Sequence, residues 1–193
     1  MLIGLGDVQQ RAQRLSIRVY IANRPPMPPY DITDGCMPMQ TGDIAAIAQH
    51  TGNHWRKVFN VYAKIMHEFM QALQARAVIK DDAPHYKVAL QTYDTWQAYR
   101  DHQLLQANSA TALLFSEPTV ESNNTLHIIM GKGYAQQLGF DYQAPYLVEH
   151  EHADFACYSD QSVILCPYFD YRQLSNAKIS TLVSIMLSLL DIK

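Results

Sequence analysis

Thr125-Leu126-His127-Ile128-Ile129-Met130-Gly131-Lys132-Gly133-Tyr134-Ala135-Gln136-Gln137-Leu138-Gly139 is the stretch that decides the fold class of this chain. An apolar, partly β-branched run enters a Gly-Lys-Gly turn, and a short amphipathic helix leaves it. A strand feeding a helix through a tight glycine turn is the building unit of an α/β sheet. It also leaves backbone N–H groups where an anion or a nucleobase can sit. The turn is too short for a Walker loop and lacks its Lys-Ser/Thr pair, so it reads equally well as a plain structural connection.

Outward from this unit the pattern repeats. Residues 17–22, Ile-Arg-Val-Tyr-Ile-Ala, form the first predicted strand, and residues 110–116 and 126–131 form further apolar runs. Residues 155–158 and 163–166 predict a hairpin around Ser159-Asp160-Gln161. Continuous apolar runs, rather than strict alternation, suit strands buried on both faces of a mostly parallel sheet. The clearest helix carries Trp55, Val58, Phe59, Tyr62, Ile65, Met66, Phe69, Met70 and Leu73 at spacings of three and four, after cap-type residues Thr51-Gly52-Asn53. A second helix is predicted over about 86–106, a short one over 7–15, and a terminal one over about 174–190. The wide apolar stripe of the terminal helix is either buried or shared with a second copy of the chain. The expected architecture is a single three-layer α/β/α domain over 1–193, with a mostly parallel sheet of about four strands and residues 1–16 as an N-terminal extension.

Composition narrows the function classes. At 193 residues the chain fits one domain with a full core. A net charge of −3 provides no global basic field for nucleic acid, although a local groove can still be basic. Cys36, Cys157 and Cys166 are an odd number with no CxxC spacing, which argues against a disulfide scaffold or a zinc ribbon. The N-terminus lacks a secretory pattern, and the apolar stretch at 182–190 is about half of a membrane span, so a soluble cytoplasmic protein is expected, with no membrane partner. His150-x-His152 places two imidazoles on one strand face without an evident third ligand, so no metal site and no organic cofactor is implied.

Chemistry concentrates in three strand-end loops. Four prolines within residues 25–29 forbid helix and sheet and make residues 23–30 a stiff loop after the first strand. Ser116-Glu117-Pro118 follows the second strand, and Cys166-Pro167-Tyr168-Phe169-Asp170-Tyr171-Arg172 follows the last. Rings to stack on, with amide and hydroxyl groups to read an edge, are what a flat heterocycle needs. The same aromatic residues can also simply cap the core at Pro-rich turns. The predicted ligand-contacting residues are Tyr30, Ser116, Cys166, Tyr168 and Arg172, with Asn23 in the first of these loops.

Four motifs, in order, resemble the uracil-DNA glycosylase superfamily, particularly its mismatch-specific branch. Val19-Tyr20-Ile21-Ala22-Asn23-Arg24-Pro25 is similar to that branch's first strand and Gly-x-Asn-Pro-Gly loop. Gly52-Asn53-His54-Trp55-Arg56-Lys57-Val58-Phe59 resembles its Asn-x-Phe-Trp-Lys-Val-Leu helix start. Ile128 to Ala135 is similar to its strand and Gly-Lys-x-Ala turn, and Val163 to Arg172 to its closing strand and Asn-Pro-Ser or His-Pro-Ser loop. The resemblance implies a nucleobase, nucleotide or DNA ligand at the carboxyl ends of the strands and, if the site is catalytic, hydrolysis of an N-glycosidic bond with Asn23 or nearby Asp31 positioning the water. Four positions depart from it. Arg24 intervenes before the proline, Ser116 stands where many members read the base with Asn, and Cys166 and Tyr168 replace the His or Asn and the Ser of the closing loop. A neutral thiol is a weak donor and a thiolate would repel a departing base anion, so the alternative is a binding or scaffold protein that kept the fold without the catalysis. Arg18-Val19-Tyr20-Ile21-Ala22 is also similar to the opening strand of nucleoside deoxyribosyltransferases, which would require Glu68 or Glu117 as nucleophile; the later motifs do not follow that family.

Overall fold

A computed structural model of the chain describes residues 1–9, 14–79, 93–120, 124–142 and 154–191. In chain order the elements are β1 (Gly4–Gly6), β2 (Ser16–Tyr20), β3 (Cys36–Met37), α1 (Asp43–Thr51), α2 (Asn53–Ile79), α3 (Trp96–His102), β4 (Thr111–Leu114), β5 (Thr125–Met130), α4 (Lys132–Gln137), β6 (Ala156–Tyr158), β7 (Val163–Cys166) and α5 (Asn176–Asp191). A single 3₁₀ turn, Ser159–Gln161, closes the β6–β7 hairpin.

All seven strands join one sheet in the order β3-β1-β4-β2-β5-β7-β6. The four central strands, β4, β2, β5 and β7, are mutually parallel, while β1 on β4 and β6 on β7 run antiparallel. Every residue of β2, β4, β5 and β7 is buried, which is why β4 and β7 read as nearly continuous apolar runs, while β2 and β5 also bury polar residues on one face. The protein is therefore α/β with a mostly parallel sheet, but among the described residues the sheet has seven strands rather than about four.

The added strands are short and carry no periodic signal. β1, Gly-Leu-Gly, belongs to what reads as an N-terminal extension, yet it lies against β4 so closely that a Cβ on Gly4 would stand 2.3 Å from the Leu113 carbonyl oxygen. Leu5 between the glycines is fully buried. Close backbone approach, not flexibility, explains the Gly-x-Gly spacing. Part of the helix predicted over 7–15 lies outside the described residues; within them, residues 7–9 and 14–15 are not helical.

The two faces of the sheet are covered unequally. Ile17 and Val19 of β2, Leu126 and Ile128 of β5 and Ile164 of β7 pack with α1, α2, α3 and α5 in one cluster. The opposite face carries Tyr20, Ala112, Leu114, Ile129 and Leu165, against Ala135, Tyr134 and Leu138 around the short helix α4. α2 is the main support. Its Val58, Phe59, Tyr62 and Ile65 are fully buried, each contributing on the order of 1.5–3 kcal/mol of burial. The Tyr62 hydroxyl also lies 3.3 Å and 3.2 Å from the carbonyl oxygens of Ile17 and Ala112, which ties the helix to two central strands.

One predicted helix differs in extent. The one predicted over about 86–106 is helical only at α3; residues 80–92 lie outside the described residues, and 103–110 turn and bridge instead. The Thr95 side chain accepts from the Ala98 amide and so fixes the start of α3. In α5 the apolar stripe is buried within the chain, with Leu182, Ile185, Met186 and Leu189 at 0–1% exposure. Ser180 and Ser184 on its outer side are exposed and bond back one turn.

Candidate functional site

In the parallel core the first strand in sequence, β2, lies in the middle; the chain next adds β4 on one side and then β5 on the other. The strand order thus reverses between β2 and β5. In open α/β sheets the crevice outside the carboxyl ends at such a switch point is where ligands bind. Asn23 lies just beyond β2, and Gly131 just beyond β5. Gly131 has φ +92°, which disfavours any side chain, and a Cβ there would stand 3.3 Å from the Tyr168 ring. Its amide donates to the Cys166 carbonyl at 2.9 Å, locking the β5 turn to the end of β7.

Tyr168 is the centre of this crevice. Its hydroxyl is hydrogen-bonded to Nε2 of His54 at 3.0 Å, and the Asn23 side chain lies beside the same hydroxyl. Burial raises the phenol to about 12, against the opposing effect of the Asn23 side chain, so Tyr168 is neutral near pH 7. His54 reaches it from the first turn of α2, whose start is set by the chain reversal at Gly52, φ +81°.

An aromatic wall continues from His54. The His54 ring meets Trp55 edge-on at 5.5 Å, Trp55 meets Phe115 edge-on at 6.4 Å, and the Arg24 guanidinium lies 5.8 Å over Phe115. Arg24 is held from behind by the Thr33 carbonyl at 3.0 Å. On the far side Lys132 lies 5.7 Å over the Tyr142 ring, and the Tyr142 hydroxyl donates to the Cys166 carbonyl. The loops after β2, β4, β5 and β7 and the start of α2 therefore meet, presenting ring faces, an amide, a phenol and an imidazole. Such a set can stack on a flat ring and bond its edge.

Of the residues predicted from sequence, the fold brings Asn23 and Tyr168 together and sends the others elsewhere. Tyr30 is buried, and its hydroxyl lies near the Asp43 carboxylate of α1. The Asp31 carbonyl faces Arg24 at 3.5 Å, while its Oδ1 is enclosed without a hydrogen-bond partner. Ser116 accepts from the Ile3 amide at 3.3 Å and so serves the N-terminal segment. The Cys166 thiol is wholly buried among core side chains, where desolvation pushes its pKa far up. Arg172 is exposed, and its amide donates to Asp170 Oδ1. His54, Phe115 and Arg24 have no predicted ligand role, although His54 sits inside a quoted motif. Its one legible signal is its place in the first turn of the longest amphipathic helix.

No group of three or more metal-type side chains occurs among the described residues, and His150 and His152 lie outside them. Nor, among those residues, is any helix long and apolar enough to cross a membrane.

The fold and these strand-end loops define an α/β protein with a largely parallel sheet and a cluster of polar and aromatic side chains at the switch point of its strand order. The chain belongs to a family described as a family of unknown function (DUF6942), whose model matches residues 3–187. No curated protein and no solved structure matches it.

Proposed function

We propose that the protein binds a nucleobase, or a nucleotide carrying one, in the crevice between β2 and β5. The observation that carries this reading is the meeting of Asn23, His54 and Tyr168 on one hydroxyl at the carboxyl edge of the parallel strands. The ordered resemblance to uracil-DNA glycosylases supports the same location and ligand class. Tyr168 and His54 provide stacking faces, and the Asn23 amide pairs with a ring edge as both donor and acceptor. Calorimetric titration of the intact protein with uracil, hypoxanthine and their nucleosides, and with oligonucleotides containing either base in a mismatch, tests it. Saturable binding to at least one, weakened in Tyr168→Ala, is expected. An absence of binding across the panel overturns the proposal.

Hydrolysis of the N-glycosidic bond is the second reading, favoured by His54. The buried thiol of Cys166 cannot stabilise a departing base, but the His54 imidazole stands in the crevice and can donate to it while Asn23 holds the attacking water. Water adds to the anomeric carbon, the bond to the base nitrogen breaks with its electron pair on the base, protonated His54 delivers a proton to that base, and the proton shed by the attacking water passes to solvent, from which His54 is reprotonated. Base release from the same oligonucleotides, lost in His54→Gln, is the expected result. Binding without release leaves the non-catalytic form of the proposal standing.

A further inference from the structure

On the face of the sheet opposite α2, β2 presents Ser16, Arg18 and Tyr20 in alternation, and β5 presents Thr125 and His127 beside them in register. All five are buried. Arg18 is 5% exposed, its Nε has no hydrogen-bond partner, and no ion pair joins it to a carboxylate among the described residues. Thr125, 1% exposed, has a hydroxyl oxygen with no partner either. The Tyr20 hydroxyl lies beside the Arg18 guanidinium and 2.7 Å from Nδ1 of His127. Asp7 is buried too, but its Oδ1 accepts from the Gln9 amide and it makes no ion pair with Arg18. A buried guanidinium without a bonded counter-charge is costly, and proteins meet that cost with a partner anion.

We propose that Arg18 and Thr125, with the Tyr20 hydroxyl, form a binding site for a small oxyanion on this face of the sheet. Arg18 is opposite His127, and Ser16 opposite Thr125, so Arg18 and Thr125 are diagonal neighbours across adjacent strands. Diagonal pairs stand about 7–8 Å apart, a gap that one oxyanion closes by accepting from both ends. The guanidinium fork suits both a tetrahedral phosphate and a planar carboxylate, the shared chemistry being a negatively charged oxygen pair. The site is distinct from the Asn23 crevice. Arg18 precedes Asn23 by five positions in β2 and its loop, roughly 16 Å of extended chain, and the two proposals stand or fall separately.

The test follows the unfolding midpoint of the full chain in chloride buffer, titrated at matched ionic strength with inorganic phosphate, sulfate or acetate. Wild type is expected to show a saturable rise with at least one oxyanion, because a ligand that binds only the folded state stabilises it. Phosphate and sulfate without acetate would identify a tetrahedral anion; acetate alone would identify a carboxylate. Arg18→Met is expected to be at least as stable as wild type in chloride, since it removes a buried charge that lacks a bonded counter-ion, and to show no saturable rise. Thr125→Val should weaken the response several-fold while the protein still folds. Arg18→Lys keeps the charge, loses the fork, and should raise the half-saturating concentration about tenfold. An absent rise in wild type overturns the site, as does an equal rise in wild type and Arg18→Met. A large loss of stability of Arg18→Met in chloride overturns it as well, by showing that the charge is neutralised within the chain.

Discussion

The Tyr168 hydroxyl and Nε2 of His54, 114 positions apart in sequence, are 3.0 Å apart in the fold. This bond joins the loop after the last parallel strand to the first turn of the longest helix, over the point where the strand order reverses. It brings an ionisable imidazole to the same hydroxyl that the Asn23 side chain approaches. If the crevice holds a ligand, disturbing this bond alters recognition more than folding. Tyr168→Phe should weaken binding of whichever base the panel identifies by about 5–10-fold, the value of one polar hydrogen bond, while the thermal midpoint stays within a few degrees of wild type. Isothermal titration and calorimetric melting of the same preparation read both. Unchanged affinity would remove Tyr168 from the site.

Gly131 is the backbone counterpart of that bond. Substitution by Ala places a side chain at φ +92° and a Cβ 3.3 Å from the Tyr168 ring. We expect a loss of roughly 1–2 kcal/mol in urea-induced unfolding, together with reduced ligand affinity as the ring is displaced. A neutral Gly131→Ala would show that the turn relaxes easily.

Tyr62 tests how firmly α2 is fixed to the sheet. Tyr62→Phe removes a buried hydroxyl that serves the Ile17 and Ala112 carbonyls and should cost about 1–2 kcal/mol. Phe59→Ala, at a fully buried position of the same helix, should cost about 3–5 kcal/mol through the cavity it leaves. Equilibrium denaturation of the two variants should rank them in that order.

Asp170 provides a pH dependence with a definite sign. Its carboxyl is held below the ordinary carboxylate range, first by the hydrogen bond from Lys57 at 2.8 Å and then by the Arg172 amide. A group whose pKa is lowered on folding contributes stability that is complete above its unfolded pKa. That contribution is lost as pH falls through the folded value, so the window lies below about pH 4. Asp170→Asn should therefore be less stable than wild type at pH 7, and the difference should shrink at pH 3. An equal difference at both values would show that Lys57 does not select the charged form.

Thiol accessibility follows from burial. Cys166 and Cys157 are buried, Cys36 is half-buried, and desolvation raises all three thiols, Cys36 to about 12 and Cys157 to about 11. Alkylation with iodoacetamide at pH 8 should be slow in the native protein, with Cys166 the last to react, and all three should label rapidly in urea. Fast native labelling of Cys166 would place its thiol in the crevice instead of the core.

Local pattern in the sequence was enough for the α/β class, for α2 and for the buried central strands. Periodicity of three and four over 55–73, and unbroken apolar runs beside a glycine turn, are imposed by neighbouring residues and need no tertiary information. The β6–β7 hairpin was legible for the same reason. Other features were decided only by packing. The two- and three-residue strands β3 and β1 exist because β4 provides an edge for β1, which in turn pairs with β3; no periodic pattern fits in so few residues. Cys166 was placed in the ligand set by its position before Pro167, but the β7 register turns its side chain into the core, and alternation in a strand follows from which partner face is buried. His54 entered the crevice because the start of α2 lies against the end of β7, a contact over 114 positions that no local pattern encodes. The sequence by itself determined the central strands, the β6–β7 hairpin and the helices α2, α4 and α5, since these follow from local propensity and periodicity. Which side chains share a cavity was left to the strand order and register, because those depend on contacts distant in the chain.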